Sequence, residues 1–436
     1  MAMNGCNSSI RQTFVLQFVG FLPLPSHQLK VAPQTVNWSK VSTLAPASPA
    51  ILLLIGTFYF TYIQGAMSYH EIFIFTPTNP HTNPLLSAMV DLPYGVINLR
   101  RLVVLAVFFY KRHSWCELSQ QTQELLHLAR TATAAGQFSR KTTLLSGFLL
   151  TVTALGHVTW ELAEWYYFWS PGDPSDNLPV FSAVSVVPVP NDTYEWPYIT
   201  LYICFSFVPF ILSQQVYGCA MVLASIVGCV LTAMEQDMLR VCRQWMDPVH
   251  RSSLNDLARK VAKWEYLHSQ ALLVVEAMNR FFGEIFLFTY FLGVMVAVSY
   301  AGSFIVETDR SLMFYCVSIG GFALFSAYAM FLPLPFVLVH NQGYSLADTI
   351  HALTNRFSEN SPVAGPGILA RRFDLLNALD GFQDASRNYA CLLTGLDIVS
   401  FTRAIIIGVS IRCSINEAEK LTAPAAIQRA EYVFVK

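Results

Sequence analysis

The sequence predicts an all-α polytopic membrane protein with seven transmembrane helices. Of its 436 residues, 54% are hydrophobic and only 13% are charged, whereas a soluble domain has about 25% charged residues. Six long apolar stretches and a shorter seventh have the length of about 20 residues that a helix needs to cross the hydrocarbon of a bilayer. The predicted spans are 48–67, 87–110, 142–169, 198–232, 281–304, 312–338 and 390–412.

Lysine and arginine are distributed unevenly among the predicted loops. The loops after spans 1 and 3 have none and the loop after span 5 has only Arg310, while the N-terminal tail and the other loops have most of them. Because these residues favour the cytoplasmic side, we predict a cytoplasmic N-terminus and an extracellular C-terminus in the plasma membrane. The glycosylation sequon at Asn191 falls on the predicted outer side.

The predicted spans divide the chain into alternating membrane and aqueous segments. Spans 4 to 7 are expected to extend into the cytoplasm as helices that form an anchor domain. The predicted segments are a cytoplasmic segment over 1–46, spans 1 to 4 over 47–232, cytoplasmic amphipathic helices over 233–280, spans 5 and 6 over 281–340, cytoplasmic anchor helices over 341–389, span 7 over 390–412 and an extracellular tail over 413–436.

Two predicted cytoplasmic segments have apolar residues at helical spacing. The first stripe consists of Leu254, Leu257, Val261, Trp264, His268, Ala271 and Val275, and the second of Leu369, Phe373, Leu376 and Leu379. Intervals of three and four place each stripe on one face of a helix, and an apolar face in water requires a partner. Either the helices pack on each other within one subunit, or they assemble several subunits around a central axis.

A candidate ligand site lies in the outer half of the predicted bundle. Trp160, Glu161 and Trp165 stand at the end of span 3, where an aromatic belt explains the rings but not the carboxylate. Charged groups inside a membrane usually face a cavity or a partner, and pockets combine apolar walls with a few polar groups. The candidate ligand-binding residues are Asp91, Tyr94, Trp160, Glu161, Trp165, Gln214, Gln215 and Tyr290.

Two arginines near mid-depth of span 2 offer a structural alternative. Arg100 or Arg101 could pair with Glu161 and thereby fix spans 2 and 3 to each other. This ion pair competes with direct ligand contact as the role of these charges, and the sequence alone does not choose between them.

The chain has no pattern of catalytic or metal-binding residues. It contains no HExxH, no GxSxG, no glycine-rich phosphate loop and no Cys/His cluster, so we expect no enzyme, no cofactor and no metal site. Its nine cysteines form no CxxC pair, which argues against a disulfide framework. A net charge of −1 with no basic run argues against nucleic acid as a partner.

Two stretches resemble the gustatory receptor family of arthropods, a branch of the insect gustatory and odorant receptor superfamily. Asn279-Arg280-Phe281-Phe282-Gly283 resembles that family's Asn-x-x-Phe-Gly neighbourhood, and the segment 390–400 resembles the approach to its last helix. That helix normally carries Thr-Tyr, five apolar residues and Gln-Phe. Here the positions read Thr402-Arg403, five residues over 404–408, and Val409-Ser410, so the chain is identified as a divergent member.

The resemblance implies a homo- or heterotetrameric, ligand-gated channel for monovalent and divalent cations that opens on a tastant or other small molecule. Each last helix would line a central pore, with Thr402, Ile405, Ile406, Ile407, Val409 and Ser410 as its pore residues. Arg403 is expected to face Asp397 or a neighbouring helix. The predicted structural and assembly residues are Arg100, Arg101, Trp264, His268, Asn279, Phe373, Leu376, Asp397 and Arg403.

Two other classes of membrane protein fit part of the pattern. A G-protein-coupled receptor has seven spans, but it places its N-terminus outside. A transporter would have helices broken within the membrane and commonly an internal repeat. No repeat is evident, and only Pro333 and Pro335 in span 6 suggest a break.

Overall fold

The computed structural model describes eight helices, one turn of π-helix and one β-hairpin. The described residues are 48–70, 84–132, 203–246, 254–306, 312–331, 333–359, 366–388, 391–395 and 399–400, with isolated helical positions at 148, 151, 155, 156, 158 and 159. The helices are α1 Ser48–His70, α2 Pro84–Tyr110, α3 Ser114–Ala132, α4 Val208–Met246, α5 Leu254–Val306, α6 Leu312–Phe331, α7 Leu334–Glu359 and α8 Pro366–Asn388. The π-turn Ile203–Phe207 precedes α4, and strands β1 Thr394–Gly395 and β2 Val399–Ser400 pair antiparallel.

Helix α5 is the element on which most of the others pack. It has 53 residues, which gives a length of about 80 Å, and it contacts α2, α3, α4, α6, α8 and β1. A bilayer accommodates about 20 residues of it. The predicted span 281–304 is therefore only its second half, and the predicted cytoplasmic stripe lies on the first half of the same continuous helix.

The predicted span 6 over 312–338 is wrong as a single helix. Helix α6 ends at Phe331 and α7 begins at Leu334. A proline lacks the backbone N–H and clashes with the preceding turn, so Pro333 and Pro335 interrupt the helix. The carbonyl oxygen of Pro333 accepts hydrogen bonds from the amides of Phe336 and Val337, each at 3.0 Å, and so restarts it.

The predicted span 7 over 390–412 is wrong over its first residues. Residues 391–393 are irregular, and 394–395 pair with 399–400 as a hairpin. The glycine at position 395 favours such a local strand or turn over a helix. The fold is therefore all-helical in its described residues except for this two-residue pairing, and the remainder of the predicted span lies outside those residues.

The outer surface of the bundle is apolar. Leu52, Ile55, Phe58, Phe291 and Ile319 are each exposed by more than half of their side-chain area. An apolar surface of this extent would drive association in water, whereas lipid covers it without cost. Within the described residues, Cys204–Gln244 and Leu254–Gly302 are long and apolar enough to cross a membrane, and Ser48–Tyr62 and Ser318–Ala327 are shorter apolar helices. The number of seven spans stays a prediction.

Candidate functional site

Arg101 is buried at the contact between α2 and the π-turn. Its Nη1 donates to Asn98 Oδ1 at 3.0 Å, to Ser206 Oγ at 2.5 Å and to the Ser206 carbonyl at 3.3 Å. The guanidinium also lies over the ring of Phe210, 5.1 Å from its centroid. A π-turn re-aims carbonyl groups that an α-helix would use internally, and Ser206 supplies one of them here. The groups that surround this cation are thus neutral, and they accept hydrogen bonds from it.

Arg100 faces a second group of side chains, which joins four helices. Its guanidinium carbon lies 5.8 Å from the centroid of the Tyr217 ring on α4 and 5.6 Å from that of Phe325 on α6. The Tyr217 hydroxyl is bonded to Thr289 Oγ1 on α5 at 2.7 Å. Arg100 and Arg101 therefore form a buried polar layer within an apolar bundle, and both contact aromatic faces, which attract cations.

The predicted ligand-binding residues fall into two groups. Gln214 is buried on α4, one turn before Tyr217, while Gln215 and Tyr290 are half-buried. Asp91 and Tyr94 lie on α2 between its N-terminal end and the polar layer, although their side chains are outside the described residues. Trp160, Glu161 and Trp165 also lie outside them, and with Glu161 the predicted ion pair to Arg100 or Arg101.

The first cytoplasmic stripe is buried within one subunit, as the first alternative states. Trp264 is fully buried, and its Nε1 donates to Asp237 Oδ2 on α4 at 3.1 Å. His268 is 2% exposed and meets the Phe382 ring of α8 edge-on at 5.6 Å. It lies well before Phe281, in the part of α5 outside the predicted span, and burial lowers its pKa to about 4.

A carboxylate joins α4 to α7 on the same side of the molecule. Glu235 accepts hydrogen bonds from Gln342 Nε2, from Ser345 Oγ at 2.6 Å and from Thr349 Oγ1 at 3.3 Å. Three neutral donors from successive turns of α7 satisfy one negative charge, which fixes the register of the two helices. This contact was not predicted from the sequence.

The second cytoplasmic stripe is split by the fold. On α8, Leu379 is fully buried and Leu376 packs on the main core, whereas Leu369 is 53% and Phe373 is 65% exposed. Within one chain, the C-terminal half of the stripe has a partner and the N-terminal half does not. The exposed half is thus compatible with the second alternative, an interface between subunits.

Asn279 bonds the hairpin to α5. Its Nδ2 donates to the carbonyl of Leu392 at 2.9 Å, and its Oδ1 accepts from the amide of Thr394 at 2.9 Å. Asn279 therefore connects α5 to the hairpin within one chain. The predicted pore residues Thr402, Ile405, Ile406, Ile407, Val409 and Ser410 lie outside the described residues, as do Asp397 and Arg403.

Sequence reasoning missed the groups that complete each cluster. Asn98 stands three residues before Arg101, and this helical spacing could have identified it as a partner. Ser206, Thr289 and Gln342 lie 105, 72 and 107 residues from their respective partners in the chain, and no local pattern indicates them. Tyr217 and Thr289 read as ordinary members of apolar spans.

Two solved structures with a similar fold are structures of one insect olfactory receptor. The insect olfactory receptor OR5 from Machilis hrabei in complex with eugenol has a TM-score of 0.65 to this chain at 13% identity, covering 94% of this chain and 96% of its own. A second structure of the same receptor has a TM-score of 0.51 to this chain at 11% identity, covering 93% of this chain and 95% of its own. No protein-family model and no curated protein sequence matches the chain.

These comparisons establish the fold over nearly the whole length of the chain. They agree with the sequence resemblance to the insect gustatory and odorant receptor superfamily, and both neighbours are receptors rather than enzymes. At 11 to 13% identity they carry the architecture, while residue roles have to be argued from this chain itself.

Proposed function

We propose that the protein is a gustatory-type chemosensory receptor of the plasma membrane that acts as a ligand-gated, non-selective cation channel. The observation that carries the proposal is the fold, which is shared with an insect olfactory receptor over 94% of the chain. The residues 279–283 and 390–400 add the resemblance to gustatory receptors. The apolar outer surface supports the membrane location, because only lipid would cover it.

The ligand, a tastant or other small molecule, would bind in the outer half of the bundle. A pocket there would have mostly apolar walls and a few polar groups, the composition that small-molecule sites usually have. Gln214 and Tyr290 would contribute from α4 and α5, with Asp91, Tyr94, Trp160, Glu161 and Trp165. The neighbouring structure with eugenol supports a small organic ligand as the class to test first.

Four subunits, alike or different, would surround the pore. The exposed half of the second stripe, Leu369 and Phe373, supports an interface on α8 because large apolar side chains outside the bilayer require cover. The first stripe is already buried within the subunit. The assembly would therefore use a smaller apolar surface than the sequence pattern suggests.

The pore would be formed by the residues that follow the hairpin. A ring of isoleucines, one from each subunit at positions 405 to 407, would close it by excluding water. Thr402, Val409 and Ser410 would line the same side. Arg403 would face Asp397 or a neighbouring helix, since four arginines on the axis would repel the cations that the channel conducts.

The test is K⁺ flux from proteoliposomes that contain the purified protein. Ile406→Ser is expected to raise resting flux about tenfold or more, because a hydroxyl hydrates the constriction and removes the barrier. Ile55→Ser is the matched control, since this isoleucine is 61% exposed on α1 and the same change there leaves the pore intact. Equal flux from both variants would remove the last span from the pore.

A transporter is the second candidate, because the predicted span 312–338 is broken between α6 and α7, near Pro333. A transporter predicts substrate-dependent flux that saturates at low rates, without the unitary current steps of a channel. Single-molecule conductance recordings of the Ile406→Ser protein therefore separate the two classes.

A further inference from the structure

Among the described residues, the side chain of Asn279 supplies two hydrogen bonds to the start of the hairpin that precedes the proposed pore segment. Asn279 on α5 donates to the Leu392 carbonyl and accepts from the Thr394 amide, each at 2.9 Å. A carboxamide that bonds the O of one residue and the N–H of the residue two positions later occupies the edge of β1 as a neighbouring strand would. Asn279 thus hydrogen-bonds two backbone groups at the edge of β1.

The apolar residues at the start of the hairpin pack on α5 and α7. Cys391 and Leu393 are fully buried and belong to the core that contains Met278 and Phe282 of α5. On α7, a Cβ atom added at Gly343 would lie 3.6 Å from the Cys391 Cβ and 3.5 Å from its backbone nitrogen. The start of the hairpin therefore lies between α5 and α7 and contacts both helices.

We propose that Asn279 is a positioning residue that fixes the start of the pore segment on α5, and that releasing it opens the channel at rest. This inference rests on the proposed function. Thr394 is eight residues before Thr402, so the hairpin that Asn279 holds is close in the chain to the proposed pore residues. An apolar constriction excludes water only while its side chains stay close together, and freedom at the start of each segment widens it.

The first arm of the test measures whether Asn279 holds the hairpin. In Asn279→Asp the side chain keeps its size and its acceptor but can no longer donate to the Leu392 carbonyl, so the hairpin should leave its site about tenfold more often. The rate at which N-ethylmaleimide labels the buried Cys391, measured by peptide mass spectrometry, should rise about tenfold. Buried Cys219 on α4 is the internal reference, and its rate should not change.

Asn355→Asp is the matched control for this arm. It makes the same chemical change at an exposed asparagine of α7 whose side chain bonds to His351 and not to the hairpin. Equal labelling rates for Cys391 in Asn279→Asp and Asn355→Asp overturn the proposal.

The second arm measures the consequence for conduction. Asn279→Asp should raise resting K⁺ flux from proteoliposomes about tenfold, and adding Gly343→Cys should reverse this after oxidation. The 3.6 Å separation of the Cβ atoms lies in the range for a disulfide, so a bond to Cys391 would hold the hairpin in place of Asn279. A reductant should then restore the high flux. Recovery of this kind separates positioning from misfolding, which a disulfide added after folding does not repair.

The two arms separate this inference from the proposed function. Faster labelling of Cys391 with unchanged flux, in a protein where Ile406→Ser does raise flux, overturns the role of Asn279 in gating. If neither Ile406→Ser nor any other variant conducts K⁺, the channel proposal fails, while the labelling rates still decide whether Asn279 positions the hairpin.

Discussion

Individual buried or partly buried polar side chains connect the helices of this protein where apolar packing alone would leave their register open. Arg101 reaches Asn98 and Ser206, and Glu235 accepts from three donors of α7. A buried charge is costly unless it is hydrogen-bonded, so only one placement of the helices satisfies these groups. Apolar contacts are not directional, whereas these hydrogen bonds require particular distances and angles and so fix the register of the helices.

His268 makes the contact between α5 and α8 sensitive to acid. Its pKa is lowered to about 4 by burial, below the ordinary value near 6.5. The unfolded or undocked state binds the proton first, so the stability of this contact is constant above about pH 6.5 and falls as the pH drops towards 4, by about 3 kcal/mol in total. The protection factors of the α8 amides, which are the exchange rates corrected for the intrinsic effect of pH on exchange, should fall as the pH drops over this range.

His268→Gln is the control for the acid response, because glutamine is polar but does not titrate. In that variant the protection factors of the α8 amides should depend much less on pH between 6.5 and 4. An unchanged acid response would assign the effect to other groups than His268.

At the scale of elements, close helix contacts depend on particular glycines. A Cβ added at Gly56 of α1 would lie 2.0 Å from an atom of the Phe205 ring in the π-turn, whereas at Gly65 on the same helix it would meet nothing within 4 Å. Gly56→Ala should therefore separate α1 from the π-turn and cost about 1–3 kcal/mol. Gly65→Ala should be neutral or slightly stabilising.

Thermal unfolding in detergent, followed by size-exclusion chromatography of the heated samples, measures this difference. Gly56→Ala should unfold at a lower temperature than Gly65→Ala. The same midpoint in both proteins would contradict the close contact between α1 and the π-turn.

Helix α8 has an exposed apolar half that the assembly is expected to cover. Leu369→Ser together with Phe373→Ser should shift the purified protein from tetramers to smaller particles, because the two side chains are 53% and 65% exposed and removing them leaves the subunit core intact. Asp374→Ser, an exposed neighbour, should leave the tetramer unchanged. Mass photometry gives the distribution. A wild-type protein that is monomeric would contradict the assembly itself.

At the scale of the whole molecule, orientation separates the proposed channel from a G-protein-coupled receptor. The distribution of lysine and arginine predicts a cytoplasmic N-terminus and an extracellular C-terminus. In intact cells, an epitope tag at the C-terminus should bind antibody and a tag at the N-terminus should bind it only after permeabilisation. The reverse pattern would favour the coupled receptor and contradict the proposed family.

The sequence by itself determined the class of the protein and the faces of its helices. A chain that faces lipid has few charged residues and long apolar stretches, so composition and apolar lengths predicted a membrane protein. The three-and-four spacing of Leu257, Val261 and Trp264 identified a buried face because helix geometry is local. Pro333 and Pro335 suggested a break, although 312–338 was predicted as one span.

Only the tertiary structure decided which partner each face and each polar group has. It divided the second stripe into buried Leu379 and exposed Phe373, joined Arg101 to Ser206 over 105 positions of sequence, and turned the start of the predicted last span into a hairpin bonded to Asn279. A helical pattern gives the direction of a side chain but not what lies opposite it. That depends on long-range packing, in which groups distant in sequence compete for the same contact.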